Sequence, residues 1–118
     1  MIGEFISLLF LSRDAAHKEH LRTQSYAQHM ALGSFYDEIV DLADSLAEAY
    51  QGRNGIIDIP GMDDEDTGEI VATLKKYLDW IEKNRYEAVP KEDSAIQNII
   101  DEIVSLYLST LYKLQNLK

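Results

Sequence analysis

The stretch from Ala15 to Gly52, AAHKEHLRTQSYAQHMALGSFYDEIVDLADSLAEAYQG, decides the fold. From about Ser25 to Gln51 its apolar residues recur at helical spacing. Tyr26, Met30, Phe35, Tyr36, Ile39, Val40, Leu42, Ala43, Leu46 and Tyr50 are too many for one stripe. A helix this broadly apolar is expected to be covered on two sides. Gly52 is well placed to stop it. A first helix, from about Ile2 to His20, precedes it across a short connection, with Ile2, Phe5, Ile6, Leu9 and Phe10 on its stripe.

Beyond Gly52 the chain changes character. Residues 52–66 hold three glycines and Pro60, and Ile56, Ile57 and Ile59 within them are expected to pack down as an ordered crossing. A third helix is predicted from about Thr67 to Asn84, preceded by the acidic run Asp63 to Asp66, which suits the positive end of a helix dipole. Pro90 breaks the chain, and Ser94 with Gln97 reads as a capping box opening a fourth helix that runs close to the C-terminus.

Short connections join the first helix to the second and the third to the fourth, so each pair is expected to be an antiparallel hairpin. The middle connection, about fifteen residues long, can stretch roughly 50 Å at about 3.3 Å per residue. The second helix is roughly 40 Å long at about 1.5 Å per residue. The linker can therefore return along the bundle and set the second and third helices parallel. The expected fold is all-α: one ferritin-like four-helix bundle over residues 1–118, with a long crossover between its second and third helices. A plain up-down bundle is the alternative.

The totals narrow the function. At 118 residues the chain holds one modest core. A net charge of −10 opposes nucleic acid as the main partner. The absence of cysteine removes disulfides, thiolate metal sites and a catalytic thiol. The apolar run Phe5 to Leu11 is too short for a bilayer and lacks a basic flank, so a cytoplasmic location without membrane contact is expected. Nucleophile–base arrangements, phosphate loops and dinucleotide fingerprints are missing.

What remains is a set of metal-ligand types: His17, His29, Asp44 and Glu48. Imidazole with carboxylate suits iron, or another divalent transition metal. His17 near the end of the first helix and His29 near the start of the second can share one end of a hairpin. Asp44 and Glu48 lie one turn apart on one face. Yet Asp44 is fifteen residues past His29, roughly 22 Å along a helix, so one subunit alone does not close the site. Two antiparallel copies of the second helix, related by a two-fold near Tyr36 to Glu38, would place His29 of one chain opposite Asp44 and Glu48 of the other. That arrangement gives two equivalent sites per homodimer.

The same stretch resembles the corresponding region of Dps-type miniferritins, the DNA-binding proteins from starved cells. The family pattern is a histidine late in the first helix, another twelve residues on, then Asp and Glu four apart; its gapless match is His17, His29, Asp44 and Glu48. The resemblance implies an iron-oxidising centre shared across a two-fold interface, iron storage, and assembly as dimers or a larger shell. The last helix is similar in length and pattern. Gly33 stands where the family carries an acidic residue, and Lys18 where it carries a tryptophan. Without a Lys/Arg-rich N-terminal tail, DNA is not an expected partner.

Other residues have simpler readings. His20 makes H-x-x-H with His17 and is at most a spare ligand. Asp14-x-x-His17 lacks the second copy that a di-iron carboxylate bundle needs. Tyr36, Tyr50 and Trp80 are core or relay residues, with core the expected role. The rival function is a metal-free ferritin-like bundle that acts as a structural or interaction module.

Overall fold

The computed structural model describes residues 1–63 and 68–118. Four helices carry the fold: α1 (Ile2–Arg22), α2 (Tyr26–Asn54), α3 (Ile70–Ala88) and α4 (Ser94–Asn116), with no strand among the described residues. None of them is long and apolar enough to cross a membrane.

Each boundary has a local cause. The Ser25 side chain caps α2 by accepting from the Gln28 amide. That helix passes through Gly52 and stops at Gly55, whose φ of 91° is one that L side chains rarely adopt. Gly52 keeps helical geometry, so the stop expected there falls three residues later. The Glu69 carboxylate caps α3, accepting from the amides of Val71 and Ala72. Asp64, Glu65, Asp66 and Thr67, where the sequence places a dipole-pairing acidic run and a helix start, lie outside the described residues. The fourth helix is capped by Asp93, with Ser94 its first helical residue. Gln97 is no capping-box partner: it is buried, donating to the Val89 carbonyl and accepting from Arg85.

The helices pack α1 on α2, α2 on α4, α4 on α3 and α3 on α1, which sets α2 diagonally opposite α3 and α1 diagonally opposite α4. Phe5, Leu9, Leu32, Phe35, Ile39, Leu74, Ile103 and Tyr107 sit in one continuous core. Burying each such large apolar side chain contributes about 1.5–3 kcal/mol. The Phe35 and Tyr107 rings meet edge to face with centroids 5.1 Å apart. Deep inside, the hydroxyls of Tyr107 and Ser12 hydrogen-bond at 2.5 Å, which satisfies the one polar atom of the largest core side chain.

Residues after Gly55 lie against α1. Gly3 packs directly on the Asp58 carbonyl, and the Ser7 hydroxyl donates to the Pro60 carbonyl. Met62 and Asp63 then line a surface hollow with Leu8, Leu11 and Trp80. Of the three linker isoleucines only Ile57 packs against the core; Ile56 is 87% exposed and Ile59 41%. Gly3 and Ser7 hold this segment instead. At the far end of α2, Arg53 and Asp93 form a 2.8 Å ion pair.

Packed between α1 and α4, α2 still leaves part of its apolar surface uncovered in a single chain. Ala31, Leu32, Phe35, Ile39, Ala43 and Leu46 face the core, but Tyr26 is 76% exposed and Met30 50%.

Candidate functional site

Bundle interiors can hold metal on inward-facing carboxylates and histidines. This interior does not offer them: among the described residues its buried polar side chains are Ser7, Ser12, Thr73, Gln97 and Thr110. Asp14 is exposed and pairs with Arg13 at 3.1 Å.

All three histidines gather where α1 meets α2. His17 stacks on Tyr36, with centroids 4.2 Å apart and planes within 10°. His20 stacks on His29 at 3.8 Å and 17°. The second pair is also locked by hydrogen bonds in both directions. His20 donates Nδ1–H to the His29 carbonyl at 2.7 Å, and His29 donates Nδ1–H to the His20 carbonyl at 2.8 Å. A carbonyl only accepts, so both Nδ1 atoms carry hydrogen. In the neutral rings the lone pair is then on Nε2.

Gly33 explains why the rings fit. A Cβ at that position would lie 3.1 Å from Cε1 and 3.3 Å from Nδ1 of His20, and no other neighbouring side chain is that close. The absent side chain is the space His20 occupies. Sequence reasoning gave His20 a minor role, although H-x-x-H with a glycine one turn after His29 was the available signal.

Asp44 and Glu48 sit exposed on α2, one turn apart, and neither forms an ion pair with a described residue. Because α2 is unbroken from Tyr26 to Asn54, they are held roughly 22 Å from His29 at about 1.5 Å per residue. Accordingly, among the described residues no three His, Asp or Glu side chains of one chain are grouped to hold a metal ion. The histidines come together; the carboxylates do not join them within the chain. Between the two sets, Asp37, Glu38 and Asp41 add exposed negative charge, and a cleft between α1 and α2 is lined by Phe10, Arg13, Tyr36 and Asp37. Trp80 packs edge-on against Phe5 at 5.9 Å, and Tyr50 is half-buried against the core, as expected of packing residues.

Comparison with known proteins assigns a family. Residues 20–114 match the model of DUF5856, a family of unknown function, and the chain belongs to that family. No curated protein and no solved structure matches the chain.

Proposed function

We propose that this chain is a Dps-like miniferritin, a homodimer or larger shell that binds and oxidises Fe(II) at sites shared between subunits. The observation that carries the reading is on α2: an imidazole with Nδ1 already committed and Nε2 available, and, at a fixed distance, an exposed carboxylate pair with no ion-pair partner among the described residues. Metal-bound histidines commonly donate their second ring nitrogen to a carbonyl in this way, which fixes the tautomer and the ring. The donor chemistry of His17, His29, Asp44 and Glu48 fits iron. Two antiparallel copies of α2 would complete each site with Asp44 and Glu48 of the partner subunit.

The finer fold assignment belongs to the same proposal. The connection after Gly55 is read as a ferritin-like crossover, supported by its contacts along α1 and by the separation of α2 from α3. Exposed Tyr26 and Met30 on α2 supply apolar area that a second copy would cover.

Fe(II) is the substrate; it supplies the electron that reduces peroxide or dioxygen, and it leaves as ferric mineral. The chain's own part is positional. His29 is held by its bond to the His20 carbonyl, and His17 by its stack on Tyr36. Asp37, Glu38 and Asp41 raise the local concentration of cations. A metal-free interaction module is the second reading, favoured by the way His20 and His29 already satisfy each other's carbonyls.

Fe(II) titration followed optically, with light scattering for assembly size, tests the proposal. Wild type should oxidise iron as a dimer or larger, and His17→Ala and Asp44→Ala should not. Equal behaviour of all three without iron binding would leave the interaction module.

A further inference from the structure

We infer that the groove between α2 and α4 is the docking site for a basic amphipathic helix of a partner protein. The groove is on the flank of α2 away from the histidines: Glu38 is nine residues past His29, about two and a half turns. Its negative charge and apolar floor stand whether or not the chain binds iron.

Three observations define the occupant. The groove is a hollow of about 510 Å³ whose apolar surface comes from Leu42 and Leu106, both half-buried against the core. Glu38, Asp41 and Glu102 rim it, all exposed, and none forms an ion pair with a described residue. The remaining wall is two hydroxyl side chains, Ser105 and Ser109, small enough for a partner's backbone to come close. From Glu102 the α4 residues follow at i+3, i+4 and i+7, so they share one face of that helix.

The charge is costly as well as unpaired. Between Tyr26 and Gly52, α2 carries Asp37, Glu38, Asp41, Asp44 and Glu48 and no Lys or Arg, and α4 has none before Lys113. Like charges three and four residues apart destabilise a helix, so a partner's cations would relieve a repulsion that the single chain retains. A lone cation is a poor match, since among the described residues no three carboxylates or imidazoles are grouped to hold a metal ion. A second copy is a poor match too: its net charge is also −10, and its cations are interleaved with acids, as in Arg13 with Asp14 and Arg22 with Glu19. A helix with apolar anchors at i and i+3 or i+4, flanked by Lys or Arg, satisfies both the floor and the rim.

Fluorescence anisotropy with a labelled peptide tests this. The probe is a synthetic amphipathic helix of Leu and Lys, and a scrambled peptide of the same composition is its control. Both are titrated with wild type and with the groove variant Glu38→Gln/Asp41→Asn/Glu102→Gln. A charge-matched variant on α3, Asp79→Asn/Glu82→Gln/Glu87→Gln, controls for net charge. Ser105→Trp fills the groove without changing charge, and helicity and assembly size are checked for every protein. Wild type should bind the amphipathic peptide at least about tenfold more tightly than the scrambled one. The groove variant and Ser105→Trp should each lose about tenfold or more, and the α3 variant about twofold at most.

Equal loss in the two charge variants, or equal binding of the scrambled peptide, would overturn the inference, because the attraction would then be that of net charge alone. Full-strength binding to Ser105→Trp would overturn the groove as the place of docking. A wild-type assembly that takes up no peptide and dissociates in the groove variants would assign the groove to a second copy instead. Absence of peptide binding to wild type would overturn the inference outright.

Discussion

His20 and His29 hold each other: each ring donates Nδ1–H to the other's backbone carbonyl, at 2.7 and 2.8 Å, across stacked faces 3.8 Å apart. One residue is on α1 and the other on α2, so the pair fastens the hairpin beside its turn. It also leaves both Nε2 atoms uncommitted by these bonds on a half-buried surface.

Removing either ring should loosen the hairpin by about 1–2 kcal/mol, the typical worth of a part-buried hydrogen bond plus lost packing. Urea denaturation of His29→Ala is expected to show this as a lower midpoint at unchanged slope. The double variant His20→Ala/His29→Ala should lose less than the sum of the single losses, because each deletion already breaks the shared stack.

Ser12→Ala would strand the Tyr107 hydroxyl in the core. A cost of about 1–3 kcal/mol is expected for the unsatisfied group. Adding Tyr107→Phe removes the orphan, so the double variant should be more stable than Ser12→Ala alone; a double-mutant cycle in urea reads this directly.

The same tyrosine makes stability fall in alkali. Burial pushes the Tyr107 hydroxyl well above its ordinary value, and the Ser12 bond only partly offsets that. The folded chain therefore keeps the proton after the unfolded chain has begun to release it. The contribution is complete below about pH 10, the unfolded value, and declines as pH rises past it. Urea midpoints taken from pH 9 upward should drop more steeply for wild type than for Tyr107→Phe.

Gly3→Ala tests how the connection is held. A Cβ there would overlap the Asp58 carbonyl and crowd Pro60. The segment after Gly55 is expected to lift from α1, with faster cleavage there in limited proteolysis. An unchanged cleavage rate would mean that Ser7 and Ile57 suffice.

Much of this architecture was legible in the sequence, because helical periodicity is a local property. The stripes of α1 and α4 marked their buried faces, and Ser25 marked the start of α2. The errors arose where tertiary contacts decide. Gly52 has nothing near its absent side chain and no positive φ, whereas Gly55 does the turning. Gln97 looked like a cap but is taken by Arg85 and Val89. Ile56 and Ile59 looked like anchors, while the anchoring is done by the glycine and serine of α1. The carboxylates of the candidate site were placed correctly on α2, and the gathering of the histidines was half visible: the hairpin brought His17 and His29 to one end, but only the packing around Gly33 drew in His20.

The most direct measurement mixes two crippled proteins. His29→Ala keeps its carboxylates, and Asp44→Ala/Glu48→Ala keeps its imidazoles, so a dimer of one with the other contains one intact shared site and one that lacks His29 and both carboxylates. Each variant alone should bind little Zn(II) or Fe(II), and the mixture, after subunit exchange, should regain about a quarter of the wild-type sites if partners pair at random. Failure of the mixture to bind more than its components, with exchange confirmed by mass spectrometry, would contradict a site built from two chains.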